Sequence, residues 1–89
     1  MNERIAIIDG IRTPMCKSFG VLKKTPADDL GAFVVREIME RTAIPAAEVD
    51  ELIFGNVAQP ANAANVARVI ALKAGLPERV PAYTVHRNC

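Results

Sequence analysis

The chain has 89 residues, 51% hydrophobic and 24% charged, the balance of a globular domain and not of a disordered segment. So short a chain allows one small domain at most, and such a domain buries only about 60–65% of its unfolded surface. Its eleven basic and ten acidic residues are scattered and leave a net charge of +1, with no basic block to suggest nucleic acid.

Residues 4–9 open the pattern with Ile5-Ala6-Ile7-Ile8, closed by Asp9-Gly10. Consecutive apolar positions point to a strand covered on both faces, as in a parallel sheet. Residues 11–24, with Gly, Pro, Ser and Lys, read as a loop. Helix signals follow together. Thr25 is placed as an N-cap, Pro26 suits the first helical position, and Asp28 and Asp29 sit where the helix dipole favours anions. Leu30, Phe33, Val34 and Ile38 form the expected core stripe, and the helix should end near Arg41 or Thr42, before Ile44-Pro45.

A short helical turn is expected over Pro45 to Val49, then a second strand, Glu51-Leu52-Ile53-Phe54, closed by Gly55-Asn56. A second helix is expected from near Asn62 to Ala74, with Gly75 as its C′ residue and Pro77 after it. Ala63, Ala67, Ala71 and Ala74 line one face of that helix, a smooth surface suited to close packing. Pro81 precedes a third strand from Ala82 to Val85 or His86.

The order β-α-β-α-β indicates an α/β layer with parallel strands. Parallel crossovers are right-handed in nearly all cases, so strands added in one direction place both helices on one face of the sheet. The strands are apolar on both faces, so a cover for the other face is expected from beyond Cys89 or from another chain. The sequence is therefore expected to be the first part of a larger unit.

In open parallel sheets, reactive groups gather just outside the carboxyl ends of the strands. Cys89 falls at that point, and a helix beginning there would favour its thiolate. Cys16, in the first loop, is expected to be a small buried apolar residue. His86 lies three positions before Cys89, an odd separation that points extended side chains to opposite faces, so an orienting or packing role fits it better than that of a base. Arg87 could meet a phosphate or form a structural ion pair. One histidine cannot build a metal site, and none is expected. Two cysteines make no disulfide framework, and no N-terminal leader or long apolar run is visible. A cytoplasmic protein without a membrane span is the expectation.

The sequence resembles the N-terminal part of the thiolases, the acyl-CoA C-acyltransferase family. "RIAIIDGIRTP" (Arg4 to Pro14) is similar to the family's opening strand and its Arg-Thr-Pro turn, and "DDLGAFVVREIMER" to its first helix. "VDELIFGNVAQ" (Val49 to Gln59), "NVARVIALKAGLP" (Asn65 to Pro77) and "AYTVHRNC" resemble the second strand, the second helix and the strand delivering the nucleophilic cysteine. The five pieces occur in the family's order.

The resemblance implies a layered αβαβα fold, of which residues 1–89 form the first part of the N-terminal domain. It implies that Cys89 is the residue acylated, with coenzyme A as substrate and no tightly bound cofactor. The activating Gly-His-Pro histidine, a second cysteine and an Asn-bearing motif come from later segments of such proteins. Many thiolases carry Asn at the position of His86, and Gly-Gln at that of Ala63-Ala64. "NVARVIAL" is similar to fatty-acid-degrading members, including a subunit of the β-oxidation complex, and a homodimer or tetramer is expected. Ketoacyl and hydroxymethylglutaryl synthases share the fold and the cysteine position. The Arg12-Thr13-Pro14 turn and "FGNV" favour thiolase over them, and Cys89 argues against a non-catalytic scaffold.

Overall fold

The computed structural model describes residues 3–88. Two helices and two parallel strands organise them: α1 (Ala27–Thr42), a 3₁₀ turn (Ala46–Glu48), β1 (Leu52–Gly55), α2 (Val66–Lys73) and β2 (Ala82–Val85). β1 and β2 pair in register from Leu52 opposite Ala82 to Gly55 opposite Val85. They form a β-α-β unit with α2 as the crossover.

Each strand alternates half-buried and exposed positions. Leu52, Phe54 and Ala82 pack against the buried cluster of Val35, Ala63, Val66, Ile70, Ala71 and Leu76. The opposite face carries Ile53, Tyr83 and Val85, which are 48%, 43% and 38% exposed. The strands thus have an apolar second face that nothing among the described residues covers, as their composition leads one to expect.

The expected first strand differs. Residues 4–9 carry no regular secondary structure, and Ile5 and Ile7 are 96% and 95% exposed. Among the described residues the sheet consists of β1 and β2. Apolar composition marks a segment for burial, but a strand also needs a neighbouring backbone to bond to, and residues 4–9 have none among those described.

α1 ends at Thr42 as its pattern indicates, followed by Ala43 in the left-handed region at φ 57°. Its start is shifted by one residue. Pro26, with extended backbone, is the N-cap instead of Thr25, and no side chain caps the helix. The buried face also differs from the expected stripe: Asp28, Gly31, Ala32 and Val35 are buried, while Phe33 remains 60% exposed. The cause is the close approach of α2. A Cβ on Gly31 would lie 2.3 Å from Ile70 Cδ1, so the missing side chain is what lets the helices meet there.

α2 is shorter than its expected span, because residues 62–65 form turns and Asn65 is the cap. Ala63, Ala67 and Ala71 are 3%, 0% and 1% exposed, so the alanine stripe is a packing face. Gly75 follows the helix at φ 82°, a value its lack of a Cβ permits.

Candidate functional site at the carboxyl ends of the strands

Parallel strands deliver their carboxyl ends to one edge of the sheet. The ladder continues one bond beyond Gly55, where the Asn56 amide donates to the Val85 carbonyl at 3.0 Å. That bond fixes the residue leaving β1 beside the last residue of β2. A cavity of about 460 Å³ opens there, lined by Gly55, Asn56, Val57, Val85 and Arg87. A second, of about 250 Å³, lies between α1 and β1, with Leu30, Val34, Phe54 and Ile70 among its walls. Gly55 and Asn56 border both.

β2 is held from below by the start of α2. Asn65 Nδ2 donates to the Ala82 carbonyl at 3.0 Å, and the Asn65 Oδ1 accepts from the Arg68 amide at 3.4 Å. Thr84 Oγ1 donates to Asn65 Oδ1 at 2.7 Å and accepts from the Ala67 amide at 3.1 Å. Arg68 adds a bond from its guanidinium to the Val80 carbonyl at 3.1 Å. The segment that leads toward Cys89 therefore leaves a strand anchored at two successive inward positions. The expected helix start near Asn62 missed Asn65 as the cap, for which an Asn directly before an apolar run is the available signal; Thr84, as its partner, carries none.

The other end of α2 is joined to α1. Lys73 Nζ lies 2.5 Å from Asp28 Oδ2 and 2.8 Å from Asp29 Oδ1. The bond to Lys73 holds the Asp28 carboxyl below its ordinary value against the opposing effect of burial, and the two carboxylates raise the Lys73 ammonium above its own. Arg36 bonds the Lys73 carbonyl at 3.3 Å, which satisfies one of the last carbonyls of the helix.

The residues singled out in the sequence fall as follows. Cys89 lies outside the described residues. His86 is exposed among the described residues. Arg87 lines the larger cavity and forms no ion pair among the described residues. Cys16 is exposed, contrary to the buried position expected of it, with Sγ 3.9 Å from the Pro14 carbonyl. Its loop neighbours Met15 and Phe19 are exposed as well, so that stretch offers the thiol no apolar cover among the described residues. Among the described residues no group of three or more His, Cys, Asp or Glu could hold a metal, and no helix is long and apolar enough to cross a membrane.

The profile of the family "Thiolase, N-terminal domain" matches residues 5–89. A 3-ketoacyl-CoA thiolase from Pseudoalteromonas translucida is 45% identical over 88 residues, covering 99% of this chain and 20% of that protein. The crystal structure of an acetyl-CoA acetyltransferase from Bacillus anthracis superposes with a TM-score of 0.72 at 40% identity, over 76% of this chain and 17% of the other. That of a thiolase from Ascaris suum in complex with coenzyme A also gives 0.72, at 29% identity, over 76% of this chain and 18% of the other. The chain spans about a fifth of the length of the curated relatives it matches.

Proposed function

The chain belongs to the thiolase family, and on that premise we propose that it supplies the first part of the N-terminal domain of a coenzyme A-dependent acyltransferase. The reaction is cleavage of a 3-ketoacyl-CoA by CoA, or the reverse condensation, through an acyl group carried on Cys89. The observation that carries this reading is the family match across residues 5–89, which extends over the whole β-α-β unit and includes Cys89. The fold supports it by anchoring β2 four residues before that cysteine, at the sheet edge where substrates of parallel-sheet proteins bind.

In the degradative direction the Cys89 thiolate attacks the keto carbonyl, and the bond between the carbonyl carbon and the adjoining CH₂ breaks. The departing carbanion takes a proton and leaves as acetyl-CoA. The acyl group stays on sulfur as a thioester, and the thiolate of a second CoA then accepts it, releasing Cys89. A thioester suits both halves of the cycle because it keeps the acyl group activated while one product is exchanged for the next substrate. Backbone N–H groups, with that of Cys89 among them, would steady the oxyanion.

The relatives' names, 3-ketoacyl-CoA thiolase and acetyl-CoA acyltransferase, support the acyl-CoA chemistry of this reading. The test is direct. Intact protein is incubated with a 3-ketoacyl-CoA without free CoA, quenched in acid, and its peptides weighed. An added acyl mass on Cys89 is expected; acyl groups on Cys16 with Cys89 unmodified would sink the assignment.

A further inference from the structure

The cavity of about 250 Å³ between α1 and β1 is apolar on almost every side. Leu30 and Val34 of α1, Phe54 of β1 and Ile70 of α2 supply its walls. Two polar side chains reach it, those of Thr13 and Asn56. They do not satisfy each other. Asn56 Nδ2 is buried and has no hydrogen-bond partner among the described residues. Thr13 Oγ1 is directed to the carbonyl of its neighbour Pro14 at 3.4 Å, beyond the usual range of about 2.5–3.0 Å for such a bond. A buried N–H without an acceptor is destabilising, and native structures leave few of them.

The surroundings define the acceptor that belongs there. No ionisable side chain lines the cavity, so a carboxylate or phosphate inside it would be buried without a counter-charge, a costly state. A neutral carbonyl oxygen escapes that cost and accepts from Nδ2 equally well. Water could bridge Thr13 and Asn56, but each water needs two to four polar partners, and the remaining side chains offer none. An aliphatic group gains from those walls instead. An apolar cavity of about 150 Å³ holds one benzene, so this one has room for about ten heavy atoms. Gly55 and Asn56 also border the larger cavity at the carboxyl ends of the strands, which gives a molecule held at Asn56 a way out to that edge.

We propose that the cavity between α1 and β1 takes the aliphatic tail of a medium-chain acyl-CoA, with a carbonyl oxygen of the acyl group accepting from Asn56 Nδ2. The inference deepens the functional reading above and rests on acyl-CoA thioesters being the substrates.

The test uses the intact protein with labelled Leu, Val and Ile methyl groups, and 2-octanone as the probe, a neutral aliphatic ketone close to that size. Titration should shift the methyl resonances of Leu30, Val34 and Ile70, and leave those of Ile53 and Val85 on the opposite sheet face in place. Octanoate should bind at least about tenfold more weakly than the ketone. Asn56→Ala should weaken ketone binding by roughly tenfold. Val34→Phe fills the space from a half-buried position. In thiolysis it should raise KM for 3-ketodecanoyl-CoA at least about tenfold more than KM for acetoacetyl-CoA, since each methylene in an apolar pocket is worth about tenfold or more.

Methyl shifts confined to the open sheet face would overturn the proposal. So would octanoate binding as tightly as the ketone, or equal KM changes for both thioesters. If Val34→Phe melts below the assay temperature, the wild-type methyl map decides. Active thiolysis with no ketone in the cavity overturns the proposal and leaves the acyltransferase reading standing. A ketone in the cavity of a protein that thiolyses neither substrate overturns that reading and the acyl-CoA assignment with it, keeping only a site for neutral aliphatic carbonyls.

Discussion

Thr84 and Asn65 form a clasp in which one hydroxyl joins a strand to the first turn of a helix. The Thr84 Oγ1 gives its hydrogen to Asn65 Oδ1 at 2.7 Å and receives that of the Ala67 amide at 3.1 Å. Nineteen positions separate the two residues in sequence. Thr84→Val keeps the shape and removes both bonds, leaving the Ala67 N–H unpaired. It should cost about 1–3 kcal/mol in the denaturation midpoint of the intact protein. Thr84→Ser, which retains the hydroxyl, should recover most of that loss. Equal destabilisation by both would show that the methyl group, and not the clasp, matters.

Gly31 faces Ile70 with no room for a methyl group: a Cβ there would sit 2.3 Å from Cδ1 and 2.8 Å from Cγ1. Two effects compete in Gly31→Ala. Helix propensity favours Ala by about 1 kcal/mol, while overpacking a buried contact costs about 1–3 kcal/mol. Overpacking should win, because Cγ1 is close to the backbone and cannot swing away as Cδ1 can. The double variant Gly31→Ala/Ile70→Val, which removes Cδ1, should be more stable than Gly31→Ala alone. A stabilised single variant would refute the close approach.

The Lys73 cluster gives stability a defined pH window. Asp28 is held below 3.8 in the fold, so its contribution is complete above the unfolded value and lost as pH falls through the folded one. Lys73 is raised above 10.5, so its contribution is complete below that value and lost as pH climbs through the folded one. Lys73→Met should therefore flatten the difference at both ends, narrowing its gap to wild type below about pH 4 and above about pH 10.5. With 44% of the Lys73 side chain exposed, the effect should also shrink as salt is added. An unchanged gap at all pH values would show that only packing was lost.

Cys89→Ser should lose nearly all thiolysis, since an alcohol is a far weaker nucleophile without a strong base. Cys16→Ser should remain close to wild type, because its thiol is exposed in a loop. The reverse ranking in a steady-state assay would move the reaction to the wrong cysteine.

Residues 1–89 alone should not give a stable monomer. Ile53, Tyr83 and Val85 leave an apolar sheet face in water, and both strands are edges. Sedimentation and hydrogen exchange on this piece should find association and weak protection. A cooperative melt from a monomer with well-protected amides would show that the exposed face needs no cover.

Much of the layout is legible in the residues because local chemistry determines it. The end of α1 at Thr42, the strand at Ala82–Val85 and the positive φ of Gly75 follow from nearby Pro, Gly and apolar signals. The face that α1 buries is not legible. Close contact between helices selects Gly31 and Ala32, which carry little hydropathy, over Phe33, which carries much. The run over residues 4–9 announces a strand but cannot name its hydrogen-bond partner. At the candidate site, the nucleophilic role of Cys89 is a proposal drawn from strand order and family likeness. The clasp of Thr84 with Asn65 depends on a contact between distant parts of the chain.

The bond between Lys73 and Asp29 spans 44 positions, and that interval has a meaning in time. α1 leaves the ribosome first, with its glycine-lined face and its acidic first turn both unmatched. At about 5–20 residues per second, the lysine that neutralises that turn is polymerised about 2–9 s later. A 16-residue helix could form within microseconds, so its docking waits on synthesis and not on its own folding rate. For those seconds α1 stands on the nascent chain without the helix it packs on.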